Sequence, residues 1–325
     1  MAALRNSLSS LWCLFLCLCV AQQPSLAFVA GRRSRFRPSL LVSASTETTR
    51  YQPVDLTVVI PAYNEVDRIG ETLQGYSDYF RTNSSQLPML RHCKILVVDD
   101  GSLDATAELA CSYPGVECVS LPTNQGKGAA LSHGIVQLLE PGGLCLVADA
   151  DGSASLEDLP AMLLRLVQTM ESSGSVEQPS TSSSFWLTPA MVVGHRTATA
   201  AGSTTTSSMH LRHILRWGFR MTVRCLAGNL RVRDTQCGFK LMTVTAGQWM
   251  YRGLNLQRWT HDVEVLYRAK RKLIPVAEEV IQWQDKEGSK LVKSPGGTIG
   301  VSITMLLEVL QMRLAYETGV WTMPP

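Results

Sequence analysis

Asp149 and Asp151 close the segment VADADGS at 147–153, one small residue apart and directly before a glycine. Side chains alternate along a strand, so two acids at this spacing point to the same side while strand geometry persists. Like charges so placed repel unless a cation sits between them, and hard divalent cations such as Mg²⁺ or Mn²⁺ take carboxylate oxygen. Asp and Gly are also ordinary turn residues at a strand end. The surrounding sequence decides between a turn and a metal site.

Other residues capable of chemistry recur at similar places. VVIPAYNE carries Pro61, Tyr63 and Glu65, KILVVDD ends in Asp99 and Asp100, and MVVGHR ends in His195 and Arg196. Lys127 lies between Gly126 and Gly128 in NQGKG, where a closely approaching backbone would let its ammonium reach a phosphate. This is not a phosphate-binding P-loop, because Leu121 stands where the first glycine should be and no Ser or Thr follows Lys127. No G-x-G-x-x-G follows the first strand, which argues against a dinucleotide fold.

The elements that position these residues read as alternating strands and helices. DLTVVIPAYNE (55–65), KILVVDDGS (94–102), VECVSL (116–121) and LCLVADADGS (144–153) are strand-like, the first broken by Pro61, and helical spacing follows the first three. That order predicts an α/β fold with a mostly parallel central sheet and helices on both faces. Ligands of such sheets bind beyond the carboxyl ends of the strands, and every polar motif above falls at one. Residues 171–188 and 197–208 are Ser/Thr-rich and read as loops. From Met209 to Leu230, Arg212, Arg216, Arg220 and Arg224 share one helical stripe among apolar residues, the pattern of a helix lying on an anionic membrane surface or packed with a solvated basic face. Residues 298–316 form a second apolar helix, interrupted by Glu308 and Arg313.

Composition narrows the class. Across 325 residues, 45% hydrophobic and 18% charged content fit an ordered globular chain, and a net charge of +3 with no recognition motif gives no reason to expect nucleic acid. The nine cysteines show neither a CxxC pair nor zinc spacing, so a disulfide framework is not expected. Residues 1–46 hold five Arg and no Asp or Glu, with one apolar run from Leu11 to Ala21. That run is short of the roughly 20 residues that span a bilayer and reads as a signal-peptide core. Residues 1–50 are therefore set aside as a signal, anchor or targeting segment, leaving 51–325 as the folded domain. The basic SLAFVAGRRSRFRPS that follows resembles the second part of presequences that route proteins to secondary plastids.

VVIPAYNE, VVDDGS, NQGKGAAL and ADADG, in this order, resemble the inverting glycosyltransferase family 2 with its GT-A nucleotide-sugar-binding fold. RDTQCGFKL (233–241), RWTHDVEVLY (258–267), EGSKL (287–291) and MRLAYETGVW (312–321) resemble the branch that uses dolichyl phosphate. The resemblance covers roughly residues 55–321. It implies transfer of glucose from UDP-glucose to dolichyl phosphate with inversion, serving lipid-linked oligosaccharide synthesis and protein N-glycosylation. Carried over by motif, Pro61, Tyr63, Glu65 and Asp100 would line the uridine pocket with Lys127 nearby. Asp149 and Asp151 would hold Mg²⁺ or Mn²⁺ against the diphosphate, Arg196 and Lys240 would face the acceptor phosphate, and Asp262 stands where the family places its catalytic carboxylate.

A phosphate acceptor is already an anion near neutral pH and hardly needs a general base, so Asp262 is expected either to orient the sugar or to assist residual deprotonation. The resemblance implies a membrane surface as partner and the endoplasmic reticulum membrane as location, with the catalytic domain cytosolic. A cleaved leader would instead deliver it to the lumen or a plastid. Alternatives that keep the fold are another donor or acceptor, such as a mannosyl donor or a plastid glycolipid, and a non-catalytic protein that binds sugar nucleotides.

Overall fold

The structure is a computed structural model that describes residues 51–173, 183–196, 223, 227–228, 230, 232–284 and 297–324. The leader at 1–50, nearly all of the arginine-striped segment at 209–230, most of the two Ser/Thr-rich segments and the EGSKL motif lie outside the described residues.

Among the described residues seven strands form one sheet: β1 (Val54–Ala62), β2 (Leu90–Asp99), β3 (Val116–Ser120), β4 (Leu144–Val147), β5 (Met191–Arg196), β6 (Lys240–Thr243) and β7 (Val276–Ile281). Their spatial order is β3-β2-β1-β4-β6-β5-β7. All pairings are parallel except those of β6, which runs against β4 and β5. The helices are α1 (Val66–Asn83), α2 (Thr106–Ser112), α3 (Lys127–Ser132), α4 (Leu159–Ser172), α5 (Val244–Tyr251), α6 (His261–Arg271) and α7 (Gly297–Glu317).

All four residues of β4 are buried, as are both Val58 and Val59 of β1. Alternating side chains can all be buried only if both faces are covered. One group of helices has α1 against α2 and α4 along β5 and β7, and the other has α3 against β1, α5 and α6. The expected mostly parallel α/β sheet is thus present. Pro61 does not break β1, which runs to Ala62. The ladder to β4 ends at Val59, so Pro61 sits where β1 is paired on one side only, opposite Val98 of β2. A missing N–H is tolerated there.

The reversed strand β6 positions the site. Because it is antiparallel, its first residue, Lys240, lies opposite Val147 of β4 and Val193 of β5. A residue at the start of one strand thereby joins the edge formed by the ends of its neighbours.

Candidate active site

The loop after β3 is built around one acid. Asp100 is buried and accepts hydrogen bonds from Asn124 Nδ2 (2.9 Å), the Gln125 N–H (2.8 Å) and the Gly126 N–H (2.8 Å). Burial raises its carboxyl above the usual range, and those two backbone N–H groups oppose the shift. Gly126 has φ +109°, and a Cβ there would stand 2.5 Å from the Gln257 carbonyl oxygen. That oxygen accepts from the Gly128 N–H at 2.7 Å, so the loop is fastened to the segment leading into α6. Asp100 therefore shapes the loop that carries Lys127.

Lys127, the first residue of α3, donates from Nζ to Asp149 Oδ1 at 2.5 Å, and each side chain keeps 23% of its surface exposed. Burial works against its charge, but Asp149, Asp262 and Asp151 outweigh that and hold the ammonium above its ordinary range. Asp151 accepts from the Ser153 N–H at 3.0 Å, and its Oδ2 lies 3.9 Å from Arg68 Nη1. Arg68 in turn donates from Nε to Glu65 Oε2 at 2.8 Å. The repulsion between the two strand-end acids is thus relieved by protein cations, Lys127 on one and Arg68 on the other. Pro61 and Tyr63 are half-buried around the end of β1.

Among the described residues no three His, Cys, Asp or Glu side chains gather as a metal cluster. The donor set nevertheless fits Mg²⁺ or Mn²⁺, since two carboxylates with substrate phosphate oxygens and water are the usual complement of such an ion. The space around Asp149 is also tailored. A Cβ on Gly238 would come within 2.2 Å of Asp149 Oδ2, so any larger residue there would have to move this carboxylate.

Asp262 is 5% exposed, and its Oδ1 accepts from Lys240 Nζ at 2.5 Å. Burial alone would raise its carboxyl, but the charges of His261, Lys240 and Lys127 hold it far below the usual range. Lys240 is fully buried and also donates to the Cys237 carbonyl oxygen at 2.5 Å. This corrects the expectation that Lys240 faces an acceptor phosphate: its ammonium is spent on Asp262 and the backbone. The other expected acceptor contact, Arg196, is gripped by Asp234, with Nε–Oδ2 at 2.6 Å and Nη2–Oδ1 at 2.8 Å, and its guanidinium lies 5.0 Å above the Trp283 ring. It keeps a third of its side chain exposed.

Lys127–Asp149 and Lys240–Asp262 are thus two ion pairs, linked into one charged chain by the field of Lys127 on Asp262 rather than by a contact, with Glu65, Arg68 and Asp151 to one side. Sequence reasoning missed Arg68, Asp234, Gly238 and His261. Arg68 follows Glu65 by one helical turn and Asp234 belongs to the RDTQCGFK motif, so both were within reach. A concavity of about 620 Å³ between α4 and β7, lined by Arg165, His195, Arg233 and Glu278, contains none of the charged chain.

The model of glycosyl transferase family 2 matches residues 57–236. The chain belongs to that family. It is 32% identical over 280 residues to a dolichyl-phosphate β-glucosyltransferase of Dictyostelium discoideum, covering 83% of this chain and 78% of the relative. A human protein of the same name is 33% identical over 274 residues, covering 82% and 77%. These relatives put the chain among the dolichyl-phosphate β-glucosyltransferases. Among solved structures, glucosyl-3-phosphoglycerate synthase of Mycobacterium tuberculosis superposes with a TM-score of 0.54 at 15% identity, covering 87% of this chain and 85% of that one. The same enzyme in complex with Mn²⁺, UDP and its product gives 0.53 at 15% identity, covering 87% and 86%. At that identity the likeness speaks for the fold, here the expected GT-A nucleotide-sugar-binding fold.

Proposed function

We propose that residues 51–325 form the catalytic domain that transfers glucose from UDP-glucose to the phosphate of dolichyl phosphate, with inversion, releasing UDP. The observation that carries this reading is the ion pair of Lys127 with Asp149 at the carboxyl edge, within the field of Asp262, in a chain whose relatives bear that name.

Pro61, Tyr63 and Glu65 line the uridine side, and Asp100 holds the 124–126 loop against it. Asp149 and Asp151 would hold Mg²⁺ or Mn²⁺, which would supply Lewis-acid stabilisation of the diphosphate leaving group. Lys127 adds a cation beside the same phosphates. Asp262 orients the transferred sugar and is not used as a base, because an acid held so far below its usual range accepts a proton poorly. Arg196, fixed in orientation by Asp234, offers its exposed edge to the acceptor phosphate.

The membrane surface enters through α7. Ile303, Leu307, Leu310 and Leu314 are exposed at spacings of four, three and four residues, which form one helical stripe. Among the described residues no helix is long and apolar enough to cross a membrane, so this stripe lies on the lipid rather than through it. We place the domain on the cytosolic side of the endoplasmic reticulum. Asn83-Ser84-Ser85, at the end of α1, is a glycosylation sequon. On that side Asn83 stays unmodified, and a glycan there would move the domain to the lumen.

The test of the reaction is transfer of labelled glucose from UDP-glucose to dolichyl phosphate, with and without Mn²⁺, beside Asp262→Asn. Metal-dependent glucolipid that falls in the variant, with UDP-glucose binding intact, is expected. Binding of UDP-glucose with no lipid product would refute the acceptor.

A further inference from the structure

His261 precedes Asp262 at the start of α6 and is 1% exposed. Its Nδ1 is 2.7 Å from the Arg258 carbonyl oxygen. A carbonyl only accepts, so Nδ1 carries a proton. Its other nitrogen, Nε2, lies 3.1 Å from Asp262 Oδ1 and has no well-aligned hydrogen-bond partner. With Nδ1 protonated, a neutral ring turns a lone pair toward that carboxylate oxygen, and an imidazolium turns a proton toward it. The first arrangement repels and the second attracts.

The ring has no room to avoid the choice. A Cβ on Gly128 of α3 would stand 2.7 Å from the His261 Cβ, so only glycine lets α3 pack this close. The charged and titratable groups around the pair come from every neighbouring element. They are Lys240 on β6 at 2.5 Å from the same Oδ1, Lys127 on α3, Tyr251 on α5, and Glu308 on α7, which accepts from Thr260 Oγ1.

We propose that His261 is a positioning residue for the transfer: with Nδ1 committed to the Arg258 carbonyl, its Nε2 proton and the Lys240 ammonium converge on Asp262 Oδ1 and fix the carboxylate, leaving Oδ2 for the sugar. This rests on the reading of Asp262 as the group that orients the transferred glucose. Lys240 anchors Oδ1, and His261 adds the second donor that sets the direction of the carboxylate.

The experiment is steady-state glucosyl transfer by the full-length chain, in vesicles containing dolichyl phosphate. It compares wild type with His261→Phe and His261→Gln. His261→Phe should lower kcat about tenfold or more, as for a displaced reacting group, with the Michaelis constant for UDP-glucose little changed. His261→Gln, whose amide can donate to the same oxygen, should regain most of kcat. A Phe variant with the kcat of the wild type would overturn the proposal, as would a folded Gln variant no faster than Phe. If the wild type makes no glucolipid, the acceptor reading falls, and the same comparison is read from its hydrolysis of UDP-glucose to glucose and UDP. A wild type that turns over neither lipid nor water overturns both.

Discussion

Lys127 Nζ and Asp149 Oδ1 stand 2.5 Å apart, so the lysine of the glycine-flanked loop and the acid two residues beyond β4 are joined before any substrate arrives. A cation that uses Asp149 must share it with Lys127 or displace it.

Removing that competitor gives the first prediction. Lys127→Met leaves Asp149 and Asp151 with less positive charge between them, so divalent metal should stabilise the variant more than the wild type. Thermal melting with and without Mn²⁺ measures this, and an equal shift in both proteins would count against metal binding at Asp149. Turnover should nonetheless fall about 100-fold, as when one charge-stabilising donor is lost.

Gly238→Ala tests the cradle around Asp149. The added methyl would meet carboxylate oxygen at 2.2 Å and must push it aside. Misplacement of a reacting group by about 1 Å costs roughly 100-fold in rate. The variant should fold, keep its melting temperature within a few degrees and lose metal-dependent transfer. Full activity would show that Asp149 has slack.

Lys240→Met should be the most damaging of the single changes to stability, because it strands a buried carboxylate at a cost of about 3–5 kcal/mol. Adding Asp262→Asn should recover much of that loss in urea titrations, though not the activity. An additive pair would mean that the two side chains do not interact.

The same pair sets a pH dependence. The folded Asp262 carboxyl is depressed, so its contribution to stability is complete above the unfolded value of about 3.9 and is lost as pH falls through the folded value. The wild type should therefore lose stability below about pH 4, and Asp262→Asn should lack that component. Melting curves across the acid range compare the two.

Asp234→Asn weakens the fork that holds Arg196. The Michaelis constant for dolichyl phosphate should rise about tenfold, on the scale of one charge-assisted hydrogen bond, while that for UDP-glucose stays close to wild type. A rise confined to the donor would reassign Arg196.

Much of this site was legible in the sequence because parallel sheets put strand ends on one edge, and each motif could be placed there from its strand alone. Asp149, Asp151 and Lys127 needed no more than that. Lys240 was misread because its role depends on strand direction: a reversed β6 turns its side chain into the interior beside Asp262, and four residues of KLMT carry no sign of their orientation. Gly238 and His261 were missed for a related reason. Gly238 matters through Asp149, more than 80 positions away in sequence, and His261 through the ring orientation that sets it between the Arg258 carbonyl and Asp262, which residue spacing does not display. The helix expected at 209–230, either on a membrane surface or packed with a solvated basic face, lies almost wholly outside the described residues.

The strand order also bears on how the chain assembles. β1 to β4 form a contiguous parallel block from one continuous stretch of sequence, and it can be completed as soon as residue 147 is made. β5 cannot join it, because its partners are β6 and β7, both later in the chain. The last third of the polypeptide must therefore thread β6 into the gap beside β4 before the second half of the sheet has anywhere to dock. Such non-local closure is slow relative to the pairing of neighbouring segments. Asp262 enters on α6 only after this step. The loop that carries Lys127 waits as well, because the Gln257 carbonyl that fastens it comes from the same late segment.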